Sequence, residues 1–452
     1  MKNLDQLELL LSFLGDGGEG ASDAALGEQK NGSETRDDLR RKSAQRREFN
    51  SEKPGSFPPF RVGIARCEGY APESVQKALQ QAVDRAGGWP PLPSSVLLKA
   101  NLLAPRAPED AATTHPEILR GVVLSLRRDQ PTRKIVVADS PGFLYTHQRE
   151  ALFERTGLRA LAESVGCGLE ILSDDGFTSV SPPGGVALLQ AHVAEKFLRT
   201  PAVVNVAKMK THVETRISAC IKNIFGIADT PTRKRAHSTR DPEHLIQAIV
   251  DLYSVRPPAF AVLDAVEAME GNGPSHGTPK FLGWILAGEN ALAVDLVASH
   301  MMGYPDPRAV PLLREAMDRG LGPTDRGQIA LFGGAWEEIV CAGFQKATTR
   351  IDWVPSALKS LLYQITALRP ALDPARCTSC GICAQVCPVG AISLRHGRPE
   401  IDRRRCVSCM CCHEMCPPGA MRCQPSPLAR LMLRWRPPSR GPHDTKKTSG
   451  PP

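Results

Sequence analysis

Aromatic side chains make up only 5% of this 452-residue chain, and long apolar runs are missing altogether. A membrane-spanning helix needs about 18 consecutive apolar residues. The best candidate, Trp284 to Gly303, is interrupted by Glu289, Asn290 and Asp295. The stretch from Met1 to Gly15 lacks the basic start and small-residue cleavage site of a secretory signal. Arg40-Arg41-Lys42 has no apolar stretch after it, so a twin-arginine signal has no support. A cytoplasmic protein without a transmembrane segment is the expectation. There is no G-x-x-x-x-G-K-[ST] phosphate loop and no G-x-G-x-x-G opening a helix after a strand. A G-x-S-x-G elbow and an H-E-x-x-H zinc helix are absent too. The net charge of +8 sits towards the end of the chain: −2 over residues 1–60, +2 over 61–370, +3 over 371–424 and +5 over 425–452. A nucleic-acid binder carries its basic face on the main domain, so no nucleic-acid partner is expected.

Cysteine is plentiful, and its pattern is the sharpest signal present. Eight of the 14 cysteines form two runs, Cys377, Cys380, Cys383, Cys387 and Cys406, Cys409, Cys412, Cys416, each followed by proline. Both read C-x₂-C-x₂-C-x₃-C-P, and the second repeats the first 29 residues on. Two-residue gaps let one tight loop present three thiolates to a cubane, while the fourth cysteine of each run ligates the other cluster. Two [4Fe-4S] clusters are therefore expected, one on Cys377, Cys380, Cys383 and Cys416, the other on Cys406, Cys409, Cys412 and Cys387. Disulfides would conflict with the missing signal, and structural zinc favours more widely separated C-x₂-C pairs. Cys411 reads as a bystander pointing away from its cluster; Cys67, Cys167, Cys220, Cys341 and Cys423 read as small buried hydrophobes.

Residues 1–59 are rich in glycine, serine and charge and read as a disordered extension. Residues 425–452 read as a basic, proline-rich tail. Between them, 60–345 carry strand-like runs (Phe60–Ala65, Val96–Leu103, Ile135–Asp139, Gly168–Leu172, Ala202–Val206, Phe260–Asp264, Trp284–Ala287, Ile329–Phe332). Helical stretches alternate with these (Pro72–Arg85, His115–Arg127, Glu243–Tyr253, Ala291–Met302). The fold class is α/β, a mostly parallel sheet with flanking helices. A linker helix over 346–370 then leads to a small α+β bacterial-ferredoxin-like domain over 371–424.

Ligands of open α/β sheets bind beyond the carboxyl ends of the strands. Those ends carry Lys99 and Asn101, Asp139, Lys208, Lys210 and His212, Asp264, Glu270, Gly271 and Gly273, with Lys222 and Asn223 in a later apolar stretch. Lys208, Lys210 and His212 alternate onto one strand face. Lysines with glycine turns suit an anionic ligand: Lys99, Asn101, Lys222, Asn223, Gly271 and Gly273 as binding groups. Lys208, Lys210, His212, Asp139, Asp264 and Glu270 are the catalytic candidates. Local capping is the competing explanation for each one. Asp295 either serves its own helix or faces the site, and Arg233-Lys234-Arg235 reads as an exposed loop.

The segments Lys99-Ala-Asn101-Leu-Leu103, His115-Pro-Glu117, Val137-Ala-Asp139-Ser-Pro-Gly142, Asn205-Val-Ala-Lys208-Met-Lys210-Thr-His212, Ile221-Lys222-Asn223-Ile-Phe-Gly226, Met269-Glu270-Gly271-Asn-Gly273-Pro274 and Ala293-Val-Asp295 resemble the domain of unknown function 362 family. Many of its members carry a C-terminal two-cluster ferredoxin module. The resemblance implies a soluble prokaryotic iron–sulfur protein and leaves its chemistry open. The leading expectation is an oxidoreductase whose clusters exchange electrons with a small anionic ligand at the strand ends and with a redox partner protein. The alternative is a non-catalytic electron-transfer, redox-sensing or accessory protein.

Overall fold

The computed structural model describes residues 60–142, 145, 148–348 and 368–425. The expected N-terminal extension, nearly all of the linker helix and the tail beyond Pro425 lie outside the described residues.

The main sheet runs β1 (Phe60–Arg66), β2 (Ser95–Lys99), β3 (Lys134–Asp139), β4 (Gly168–Ile171), β7 (Ala202–His212), β9 (Phe260–Glu270), β10 (Thr278–Gly288) and β11 (Ile329–Phe332). A small hairpin, β5 (Phe177–Val180) with β6 (Ala191–Ala194), lies apart, and β8 (Arg216–Ser218) pairs with β7. The spatial order is β11-β1-β10-β9-β7-β2-β3-β4. Only β10 and β8 run against their neighbours; every other pairing in the sheet is parallel. From β2 the chain steps outward through β3 and β4, then returns to β7 on the other side of β2. The carboxyl ends of β2 and β7 therefore flank a topological switch point, where an α/β sheet opens a crevice.

Apolar residues fill both faces. Helices α1 (Pro72–Ala86) and α2 (Pro116–Asp129) cover one. The other is covered by α3 (Cys220–Asn223), α5 (Pro242–Val255) and α6 (Ala291–Met301), with α4 (Thr230–Ala236) near the sheet's carboxyl edge. The starts of α1, α2 and α5 carry proline in the first turn, where its missing N–H costs nothing. Asn290 caps α6 by accepting from Ala293 N.

Three expectations need correcting. The β2 run does not continue to Leu103, because Asn101 N donates to Thr114 Oγ1 and Leu102 N to Asp139 Oδ2. Side chains thus take the donors a strand ladder would need. Arg233-Lys234-Arg235 is no exposed loop: it lies in α4, capped by Asp229, with Arg233 buried and donating to Pro141 O. Among the cysteines read as buried, Cys167 and Cys341 are only half-buried. Asp295 serves structure, accepting from Cys220 N and Ile221 N at the start of α3.

Strand β12 (Leu368–Leu372) pairs with β15 (Met421–Pro425), and β13 (Ile392–Arg395) with β14 (Arg398–Ile401). The 29-residue repeat reappears in the backbone. Ser379 and Ser408 both have φ of 57°. Asp402 N donates to Ala391 O and Asp373 N to Ala420 O, each at 2.8 Å, so the two halves clasp each other reciprocally.

Asp295→Ala strands two buried backbone N–H groups at about 1–3 kcal/mol each. A loss of about 2–6 kcal/mol in chemical denaturation is the expected outcome.

Candidate functional site

The strand-end residues separate into three groups. In the first, the buried Lys99 Nζ lies 2.6 Å from Asp139 Oδ1 and donates to Ala100 O and Asn223 O. Asp139 also accepts from Leu102 N and Ser140 N, both at 2.7 Å. Burial pulls the Lys99 pKa down and Asp139 pulls it back up. Gly226 permits this packing, since a Cβ there would sit 2.5 Å from Asp139 Oδ1.

A relay of amides extends from the pair. Asn205 Nδ2 donates to Cys220 O, and Asn223 Nδ2 to Asn205 Oδ1 and Lys99 O. Asn101 Nδ2 donates to Asn223 Oδ1, which leaves Asn101 Oδ1 to accept from Lys210 Nζ at 2.6 Å. Lys210 also donates to Ala112 O at 2.7 Å. It is fully buried, and burial together with the Lys222 charge brings its pKa down to about 7.

The second group is self-contained. Lys208 Nζ contacts Asp264 Oδ2 at 2.9 Å and Tyr70 Oη at 2.7 Å, and Tyr70 donates to Asp264 Oδ1. His115 stacks on Tyr70 with ring centroids 3.5 Å apart, and its pKa falls to about 4 through burial. Tyr70 was not singled out from sequence, because nothing in Gly69-Tyr70 marks it as facing Asp264, 194 residues away. The third group forms a turn. Glu270 Oε2 accepts from Gln345 N, Gly271 has φ of 75°, and Gly273 lies against Thr211, where a Cβ would meet Thr211 O at 2.3 Å. His212 Nδ1 accepts from Glu214 N, and burial holds its pKa far below the usual value.

A cavity of about 80 Å³ lies over the first group. Of the expected residues it is lined by Asn101, Asp139, Lys210, Lys222 and Asn223; Lys99 sits just behind Asp139, while Lys208, His212, Asp264, Glu270, Gly271 and Gly273 are not part of its wall. Ser140, Arg233 and His237 are among the other residues of the α/β side, and the Ser140 hydroxyl has no hydrogen-bond partner among the described residues. Burial disfavours the His237 cation, but Glu214 at 3.6 Å outweighs it and raises the pKa. The opposite wall is Cys411, Glu414 and Met415, from helix α7 (Cys411–Glu414) and the residue after it, within the second cysteine run. Cys411, expected to point away from its cluster, lines the cavity. The module seats closely: a Cβ on Gly142 would come 2.4 Å from Met415 Cε, and Lys234 Nζ donates to Gln385 O.

Residues 96–300 match the domain of unknown function DUF362, and residues 370–393 match the 4Fe-4S binding domain. The chain thus carries a DUF362 domain and a C-terminal ferredoxin module. It is 24% identical over 268 residues to a thylakoid-associated protein of Synechocystis sp., covering 58% of this chain and 80% of that protein. Among solved structures, the lactate racemase apoprotein from Thermoanaerobacterium thermosaccharolyticum aligns with a TM-score of 0.35 at 10% identity. The alignment covers 56% of this chain and 58% of that one. No helix among the described residues is long and apolar enough to cross a membrane.

The ferredoxin module's cysteines suit a [4Fe-4S] cluster. Cys383, Cys412 and Cys416 are buried in one apolar cluster, with Cys377 and Cys387 packed against it. Cys383 is coupled electrostatically to Cys416 and Cys380, and Cys412 to Cys409 and Cys406. Backbone N–H groups already point at sulfur, with Ala391 N to Cys387 Sγ and Ala420 N to Cys416 Sγ both 3.2 Å. Such bonds stabilise thiolate charge. Among the described residues no three His, Cys, Asp or Glu side chains converge as ligands of a single ion, whereas a cubane spreads its ligands over a wider shell. This is an iron–sulfur protein.

Lys99→Met leaves the Asp139 charge buried without its cation, an expected loss of about 3–5 kcal/mol. Lys99→Met combined with Asp139→Asn should restore part of it, read by denaturant midpoint.

Proposed function

We propose that this protein is an iron–sulfur oxidoreductase in which two [4Fe-4S] clusters relay electrons to or from a small anionic substrate or cofactor in the strand-end cavity. One observation carries the reading: three residues beside the expected cluster ligand Cys412, namely Cys411, Glu414 and Met415, form the wall of the cavity facing Lys210, Lys222 and Arg233. When bound, the clusters supply one-electron transfer over potentials spanning about −700 to +450 mV. The chain's own residues do the rest. Lys222 and Arg233 offer positive charge to an anion, and the Ser140 hydroxyl offers an unused donor. Lys99 neutralises Asp139, so that carboxylate does not repel the ligand. The packed Met415 and Phe225 restrict water.

The two cysteine loops differ in a way that supports an electron port for a redox partner protein. Cys380 is exposed, while its repeat partner Cys409 is half-buried against the α/β domain. Exposed Arg395, His396 and Arg398 sit at the β13–β14 hairpin tip, whose Gly397 lies close to Ser379 of the first loop. Positive charge there suits an acidic carrier.

The test is an anaerobic thermal-shift screen of phosphorylated and carboxylated metabolites, followed by redox titration of the cluster EPR signal. A ligand at ~100 times its Kd stabilises by about 2.7 kcal/mol. Stabilisation is expected in wild type and reduced in Lys222→Gln, and the ligand should move the midpoint potential. An unchanged potential at saturating ligand would favour the accessory-protein alternative.

A further inference from the structure

Three lysines lie buried at the strand ends, and they are not equivalent. Lys99 and Lys208 each touch a carboxylate, at 2.6 and 2.9 Å. Among the described residues Lys210 touches none: its acceptors there are an amide oxygen and a backbone carbonyl. Both acceptors are neutral, so no direct contact of Lys210 demands that it carry a charge. The amide relay from Asn205 through Asn223 to Asn101 fixes which atom Asn101 presents, so the arrangement is set by the fold. Lys210 also lines the cavity that holds Lys222 and Arg233.

We propose that Lys210 is a nucleophilic amine that forms an imine with a small 2-oxo acid whose carboxylate is held by Lys222 and Arg233. The inference rests on the anion-binding reading of the cavity and names the substrate class for it. A 2-oxo acid places a carbonyl carbon directly beside an anionic group, which matches an amine set among cations. The cavity of about 80 Å³ suits a ligand of a few heavy atoms, since on the same measure a single water needs about 10–15 Å³. The Lys210 nitrogen adds to the carbonyl carbon, forming a C–N bond. The carbonyl oxygen then leaves as water, carrying both amine protons, and a C=N bond remains. No oxidant or reductant is consumed.

The surroundings favour the neutral amine. Burial is the main cause of the Lys210 pKa of about 7, with Lys222 and Lys208 adding to it and Glu414 and Asp139 opposing it. A buried lysine beside another cation is a recognised route to a nucleophilic amine at neutral pH. At pH 7 about half of such a group is neutral, against less than ~0.1% of a lysine with a pKa near 10.4.

The experiment uses the full-length holoprotein under anaerobic conditions, with pyruvate as probe and sodium cyanoborohydride to trap the imine. Peptide mapping by mass spectrometry should find the reduced adduct on Lys210 well before the exposed Lys77 and Lys134. Its yield at saturating pyruvate should fall below pH 7, with the midpoint moving upward in Lys222→Gln. Label confined to exposed lysines, or a midpoint unmoved in Lys222→Gln, would overturn the proposal. Thermal stabilisation by pyruvate without label on Lys210 would sink the imine and leave the anion site standing. Neither stabilisation nor label would remove both.

Discussion

The buried ion pair of Lys99 and Asp139 is the constraint on which the rest of this site depends. It joins the ends of two adjacent parallel strands, β2 and β3, at the switch point of the sheet. The same carboxylate takes Leu102 N, which stops β2 and turns the chain outward. Lys99 in turn holds Asn223 O, and Gly226 leaves room for both. Buried charge is costly unless paired and hydrogen-bonded, and here almost every capacity of the pair is used. The resulting rigidity sets the positions of Asn101, Asn223 and Lys210.

Pairing also sorts the lysines by role. Lys208, bound by Asp264 and Tyr70, ties β7 to β9 and to the start of α1. Lys99 ties β2 to β3. Lys210 faces the cavity with neutral acceptors only, and Lys222 lies over the Phe225 ring at 5.4 Å with no carboxylate contact among the described residues. Fixed carboxylates thus make the charges of Lys99 and Lys208 structural, while Lys210 and Lys222 line one small cavity. The ferredoxin module closes it, with Met415 resting on Gly142 and Cys411 and Glu414 forming the lid wall.

Much of the architecture was legible because its signals are local. Short β-branched runs such as Ile135–Asp139 are buried on both faces, as parallel strands must be. Pro72, Pro116 and Pro242 mark helix starts through their own stereochemistry. The cysteine repeat was readable for the same reason, since ligand spacing is set within one loop. The end of β2 was not readable: whether Asn101 continues a strand depends on Thr114 and Asp139, which only folding brings beside it. Arg233 was misread likewise, since its burial against Pro141 comes from a contact 92 residues away.

The sequence by itself determined the alternation of strands and helices, the presence of an iron–sulfur module and the DUF362 resemblance, because periodicity and motif spacing act over a few residues. Only the tertiary structure decided which strand-end groups share a cavity. Lys208 and Lys210 are two residues apart on one strand face, yet a register shift between them in the β7–β9 pairing accompanies their separation. One meets Asp264 and Tyr70, the other the amide relay and the module. The reason is physical: charge pairing and burial depend on partners far away in the chain, and those partners are fixed by packing.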